Sequence, residues 1–405
     1  MTDEFIVAAC VPREAHASGT LEAADAILAA HPDVARDHYA AAILGDAEGV
    51  RGMLADDPGR ATARGGPNGW DALTYLCFSQ YLRLRPSDRF VLCADALLDA
   101  GTDPNTGYFD QAHQPESTFE SALYGAAGVA HHAGLTRLLL ARGADPNLGG
   151  EVAYHAPEGF DDAAMHAVVE SGRLSDSGLT TMLHRKLDWT GRDGVRWLLV
   201  HGVDPNALSA WGDRALHHAL GRDNSLALLE ALMEFGADPS LPAPNWGGRS
   251  ATAVAARAGR ADALELFERC GAAVQLDGDD AFFAALARAD GEGTAAFVAD
   301  EPGIVSRLAG AEPGTVATLA GAGNTPALAL ALDLGFPLSA DALEVAVWRG
   351  RTETVRLLLA RGVSVSDATL ALAERALTEM SEWTPHKSSA IVDALRQARG
   401  QARLD

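Results

Sequence analysis

In the stretch TMLHRKLDW, residues 181 to 189, Arg185 and Asp188 stand three apart with Lys186 between them. On a helix that spacing brings the guanidinium and the carboxylate to one face, where they can pair. Two readings follow. The pair is structural and lies at the surface, with Lys186 reaching out to water along its stem. Alternatively, if the fold brings His218 to them, the group offers a cation, a carboxylate and an imidazole to a small polar molecule or a peptide terminus. In an enzyme built that way His218, Asp188 and Arg185 are the catalytic candidates, His218 as acid/base and Arg185 holding an anionic group.

Other chemistries leave weaker traces. The pairs His131/His132 and His217/His218, with His113, His155 and His166, invite a metal reading. Adjacent helical residues point about 100° apart, however, and no HxxxH or HExxH occurs, so neither metal nor cofactor is expected. GxxxxGK[ST] and GxSxG are both missing. A net charge of −23 should repel nucleic acid and anionic membrane surfaces and favours a basic partner. The only basic run with aromatics, YLRLRPSDRF, is too short for a nucleic-acid surface. Cys10, Cys77, Cys93 and Cys270 form no CxxC and lie in apolar helical contexts, as reduced core residues would. The opening MTDEFIVAAC has neither a basic region nor a long apolar run, so a cytoplasmic protein, most simply a monomer, is expected.

The elements that must position these residues announce themselves by repetition. LLDAGTDPN (97 to 105), LLLARGADPN (138 to 147), WLLVHGVDPN (197 to 206) and ALMEFGADPS (231 to 240) each read as an apolar helix end, a glycine and a turn. Gly101, Gly143, Gly202 and Gly236 suit the left-handed conformation that ends a helix, and the Asp-Pro that follows blocks continuation. Weaker copies end at Gly271, Gly335 and Gly362, and Gly202, Gly236 and Gly271 are spaced 34 and 35 residues apart. A second helix with a small-residue core precedes each copy, as in ESALYGAAGVAHHAG and RSATAVAARAGRADAL. Aromatics are only 6% of the chain, and long Val/Ile runs are lacking, which argues against parallel sheets.

LTRLLLARGADPN, with ALYGAA before it, resembles the ankyrin repeat, and the signature is strongest over residues 69 to 272. The resemblance implies an all-α solenoid of about ten to twelve stacked helix pairs with short hairpin loops, irregular caps and a concave groove. The expected division is a cap and degenerate first repeat at 1–60, well-matched repeats at 61–275, degenerate repeats at 276–365 and capping helices at 366–405, in one continuous solenoid. The 42 residues from Gly101 to Gly143 require a long loop near 106–118, and the 59 from Gly143 to Gly202 fit two short repeats with Gly172 as the cap between them. Pro157 must shorten the helix before it.

Carried over by position, the resemblance puts Tyr75, Gly125, Arg185, His218 and Val254 on the groove. Phe78, Gly128, Asp188 and Gly221 come one turn later. The glycines should open space beside the polar cluster. Lys186 falls where the family packs a small alanine, and His184 and His217 take its structural histidine. Trp70, Trp211 and Trp246 precede inner helices by similar spacings, so they should stand on hairpin tips as contact residues. Tyr154, His155, Glu158 and Trp189, and His113, Gln114 and Glu116 in the long loop, add aromatic and polar groups to the same half. What this implies for function is an interaction scaffold for a protein or peptide, bound through Trp70, Tyr75, Tyr154, His155, Arg185, Lys186, Asp188, Trp189, Trp211, His218 and Trp246. The alternative is an enzyme or metabolite sensor with a pocket around Arg185, Asp188 and His218.

Overall fold

The computed structural model describes residues 1–11, 18–111, 117–339, 341–378 and 388–401. His113, Gln114 and Glu116 lie outside them. The contacts divide the chain into two compact units, Met1–Asp204 and Pro205–Asp405. Both are built of helix hairpins. In the first, Thr2–Ala9 and Glu22–Ala30 precede the pairs His38–Leu44 with Ala47–Asp56, Ala72–Cys77 with Arg89–Asp99, Glu151–His155 with Ala163–Glu170, and Asp176–Asp188 with Arg192–Val200. Between the second and third of these pairs, Ala122–Tyr124 runs into a π-turn at Gly125–Val129 and pairs with Ala133–Ala141. In the second unit the pairs include Ala215–Gly221 with Leu226–Glu234, Ala251–Arg257 with Ala261–Arg269, Gly278–Ala287 with Gly291–Asp300, Thr315–Ala322 with Thr325–Leu334, and Asp341–Trp348 with Thr352–Ala360.

The chain starts and stops these helices with short polar residues and glycines. Asp37, Asp71, Ser121, Ser175, Ser250 and Asn324 each accept a bond from a backbone N–H of the first turn, supplying a partner the helix lacks. Gly143, at φ 102°, closes its helix with Gly143 N–H on the Leu140 carbonyl (3.1 Å) and Ala144 N–H on Leu139 (2.9 Å). This paired closure satisfies the orphan carbonyls and requires the left-handed glycine. Gly101, Gly202, Gly236, Gly271, Gly335 and Gly362 repeat it. Gly172, at φ 65°, supplies the cap inside the 59-residue interval, and the helix before Pro157 is a stub, Glu151–His155.

The Asp-Pro-Asn turns do more than block the helix. Asn147 accepts from the Ser175 N–H (2.9 Å) and donates to the Arg173 carbonyl (3.0 Å), tying its turn to the next. Asn105 and Asn206 reach Asp145 and Asp238 N–H in the same way, at 2.7 and 2.8 Å. The long insertion is not loop throughout. Gly107–Asp110 pairs antiparallel with Thr118–Ser121, a ribbon favoured by Tyr108, Phe109 and Phe119. A shorter ribbon joins Pro242–Ala243 to Arg249–Ser250. Cys10, Cys77 and Cys93 are buried, and burial pushes the Cys93 thiol up to about 12. Cys270, expected in the core, is exposed because it sits on the last turn of its helix beside the Gly271 cap. Among the described residues no helix is long and apolar enough to cross a membrane.

Candidate functional site

Lys186 does not reach out to water. It is 1% exposed, and its ammonium donates to the Gly159 carbonyl (2.9 Å) and pairs with the Asp162 carboxylate. The stem fits where the alanine of the resemblance would stand because the next helix opens with Gly191 and Gly194, whose missing side chains leave its channel. A buried cation needs an anion, and Asp162, twenty-four residues earlier, supplies it. The result ties the loop after the Glu151–His155 stub to the inner helix Asp176–Asp188.

Along the same two helices runs a polar row. Arg185 Nη1 lies 2.5 Å from Asp188 Oδ2, and Nη2 lies 2.8 Å from Glu158 Oε1. The guanidinium stands 4.1 Å over the Tyr154 ring, and Nε donates to the Tyr154 carbonyl at 3.3 Å. Asp188 is only 5% exposed, so the Arg185–Asp188 pair is not the surface pair that the spacing alone allowed. His155 continues the row between Glu151 (3.2 Å) and Glu158 (3.0 Å). Burial alone would lower its pKa, but the bonds and charges of the two glutamates outweigh burial and hold it at about 9. Glu158 is held below the usual carboxylate range, its burial being outweighed by His155 and Arg185. Glu120, buried on the ribbon, is pushed up to about 8, first by desolvation and then by Glu151 and Asp110. Glu120, Glu151 and Asp162 were not singled out from sequence. The one available signal was Lys186, a charge at a small-residue position that demanded a counter-ion.

Elsewhere the placement departs from expectation. Tyr75 is wholly buried rather than on the groove. Its ring lies 5.1 Å from Trp70 and 5.2 Å from Tyr39, and its hydroxyl donates to the Gly65 carbonyl (2.9 Å) and accepts from Asn68 N–H (3.0 Å). Trp70 is 2% exposed and stacks at 4.3 Å on Tyr108 of the inserted ribbon, so it is no exposed tip. Gly125, Gly128 and Gly221 do not open space. They admit close neighbours, since a Cβ on each would meet Cys77 O at 2.8 Å, His155 Cβ at 2.7 Å and the Trp246 ring at 3.0 Å. Trp211 is 45% exposed, Trp246 is half-buried, and their turns are joined by Asn245 N–H on the Gly212 carbonyl (2.8 Å). Trp189 is half-buried, edge-on to the exposed Phe160. His218 belongs to the second unit, where its Nδ1 lies 3.2 Å from Asp213 Oδ2. His184 bonds the Thr180 carbonyl (2.8 Å), and His217 bonds Arg249 O (3.0 Å) in the following turn, both structural contacts.

No protein-family model and no curated protein matches the chain. Among solved structures it is similar to the human ASB11 ankyrin repeat domain, at 20% identity and a TM-score of 0.40, over 53% of this chain and 89% of that one. The helix hairpin, the left-handed glycine and the Asn tie between turns recur along the chain in phase with the sequence signature. The fold is all-α and ankyrin-like.

Proposed function

We propose that the chain is an interaction scaffold, binding a basic protein or peptide segment along the partly exposed Tyr154, His155, Glu158 and Arg185 of the first unit, with the buried Asp188 fixing Arg185. What supports this reading is the row itself. Its side chains are locked by one another, so a partner would meet a surface whose rotamer entropy is already spent. Around it the carboxylates of Glu151, Glu158, Asp162 and Asp188 outnumber the cations of His155, Arg185 and Lys186, in a chain of net charge −23, which favours a basic partner. Tyr154 supplies the aromatic contact, and Trp211 gives a separate exposed one in the second unit. Arg185 and Asp188 are engaged with each other in the first unit, and His218 with Asp213 in the second.

The test is a peptide-display selection on the full chain, followed by titration of the selected peptides. Basic sequences should be enriched, and Tyr154→Ala with Glu158→Gln should weaken their binding on the order of tenfold while the fold persists. Selection of acidic peptides, or binding indifferent to both changes, would sink the proposal.

A further inference from the structure

We infer that the second unit carries a binding site for a small anion, a carboxylate or phosphate on an apolar body, held between the Trp246 ring and Arg349. A cavity of about 390 Å³ opens there. Val254, Ala317 and Val345 give it apolar walls, and Trp246, Arg349 and Asp223 also line it. A few convergent polar groups in an apolar recess of this size are what small-molecule sites share.

The charge balance at the recess is the deciding observation. Asp223, 15% exposed, meets three guanidinium groups: Arg349 at 2.7 Å, Arg260 at 3.4 Å and Arg351. Its own backbone is left-handed at φ 55°, a conformation unusual outside glycine. Arg260 is further occupied by both oxygens of Asp262 (2.8 and 2.9 Å) and by the Asn224 carbonyl (3.0 Å). Arg351 also donates to the Gly321 carbonyl at 2.8 Å. Arg349 is different. Its side chain is 37% exposed, and among the described residues Asp223 is its only polar partner. Three guanidinium groups against the two carboxylates of Asp223 and Asp262 leave one positive charge uncancelled at the recess, in a chain whose total is −23. A ligand carboxylate or phosphate accepting from the remaining Arg349 donors would cancel the excess through charge-assisted bonds.

Trp246 completes the recess. Its ring edge lies over Gly221, where a Cβ would stand 3.0 Å from Cζ2 and Cη2, and its buried Nε1 has no acceptor among the described residues. The ring is therefore placed by packing against Gly221. It offers a flat wall for the apolar body of the ligand.

Calorimetric titration of the full chain with 2-naphthoate and with phenyl phosphate, against uncharged 2-naphthamide, tests this directly. At least one anion should bind, with 2-naphthamide roughly tenfold weaker or more, and the preferred anion separates a carboxylate from a phosphate ligand. Arg349→Gln should cost a similar factor at an unchanged melting temperature, and Ala317→Phe, which fills the recess, should abolish binding. If Arg349→Gln lowers the melting temperature, Trp246→Leu replaces it, with the same loss of binding expected. The inference is overturned if neither anion binds, if 2-naphthamide binds equally well, or if the substitutions leave affinity unchanged.

Discussion

The side chain of Lys186 occupies the space that a Cβ on Gly194 would need, and a Cβ on Gly191 would lie 3.1 Å from its Cε. The lysine and the two glycines are thus one device, and the cation at its end holds Asp162. Lys186→Ala leaves that carboxylate without its counter-charge and opens a channel beside it, a loss on the order of 3 kcal/mol. Gly194→Ala forces the stem aside and should destabilise by about 1–2 kcal/mol despite alanine's better helix propensity. Urea denaturation of both variants measures this, and a stabilised Gly194→Ala would contradict the packing described.

The first unit should lose stability as the solution becomes alkaline. His155 has a folded pKa of about 9 against an ordinary 6.5, so its contribution is complete below 6.5 and is lost as pH rises through 9. Glu120, raised from 4.5 to about 8, changes in the same direction, its neutral form being favoured and lost on the way up. Together they set a ceiling of roughly 6 kcal/mol on the fall between about pH 6 and pH 9, at about 1.4 kcal/mol for each pKa unit, and solvent screening lessens it. Glu120→Gln should flatten the lower part of that curve and leave the part due to His155. A denaturation midpoint unchanged over the window would remove the charged row as a source of stability.

Trp70 and Trp211 should separate cleanly. Trp70→Ala removes a buried ring stacked on Tyr108 and should cost about 3–5 kcal/mol of stability. Trp211→Ala, at an exposed turn, should change stability by less than about 0.5 kcal/mol and any partner affinity by on the order of 2 kcal/mol. Thermal melts beside binding titrations read both.

Asn147→Ala should cost about 1–2 kcal/mol, since it removes both the acceptor for Ser175 N–H and the donor to the Arg173 carbonyl. Hydrogen exchange at Ser175 is the sharper measurement, with protection there expected to fall before that of the helix cores.

The repeat was legible because its signals are local. Each glycine ends a helix by its own conformational freedom, and after Gly101, Gly143 and Gly202 an Asp-Pro-Asn follows in the chain. Lys186 was visible as an anomaly for the same reason, its type conflicting with its position. Its partner was not visible, because Asp162 is brought to it by a loop whose path depends on Pro157 and Gly159. Trp70 misled because its neighbourhood matches that of Trp211, while the ribbon that covers it starts thirty-seven residues later and belongs to an insertion. The recess beside Arg349 joins turns far apart in sequence, so no local pattern marks it.

Arg351 reaches Asp223 across 128 residues. A linear array of repeats can fray from an end, each unit melting with only its neighbour's help. Here an early turn of the second unit is fastened to a much later one, so the helices between them cannot peel away in succession without breaking that clasp. The expected result is one sharp transition for this half of the chain and a slow approach to the folded state, because the clasp closes only after a long loop of chain has been brought together.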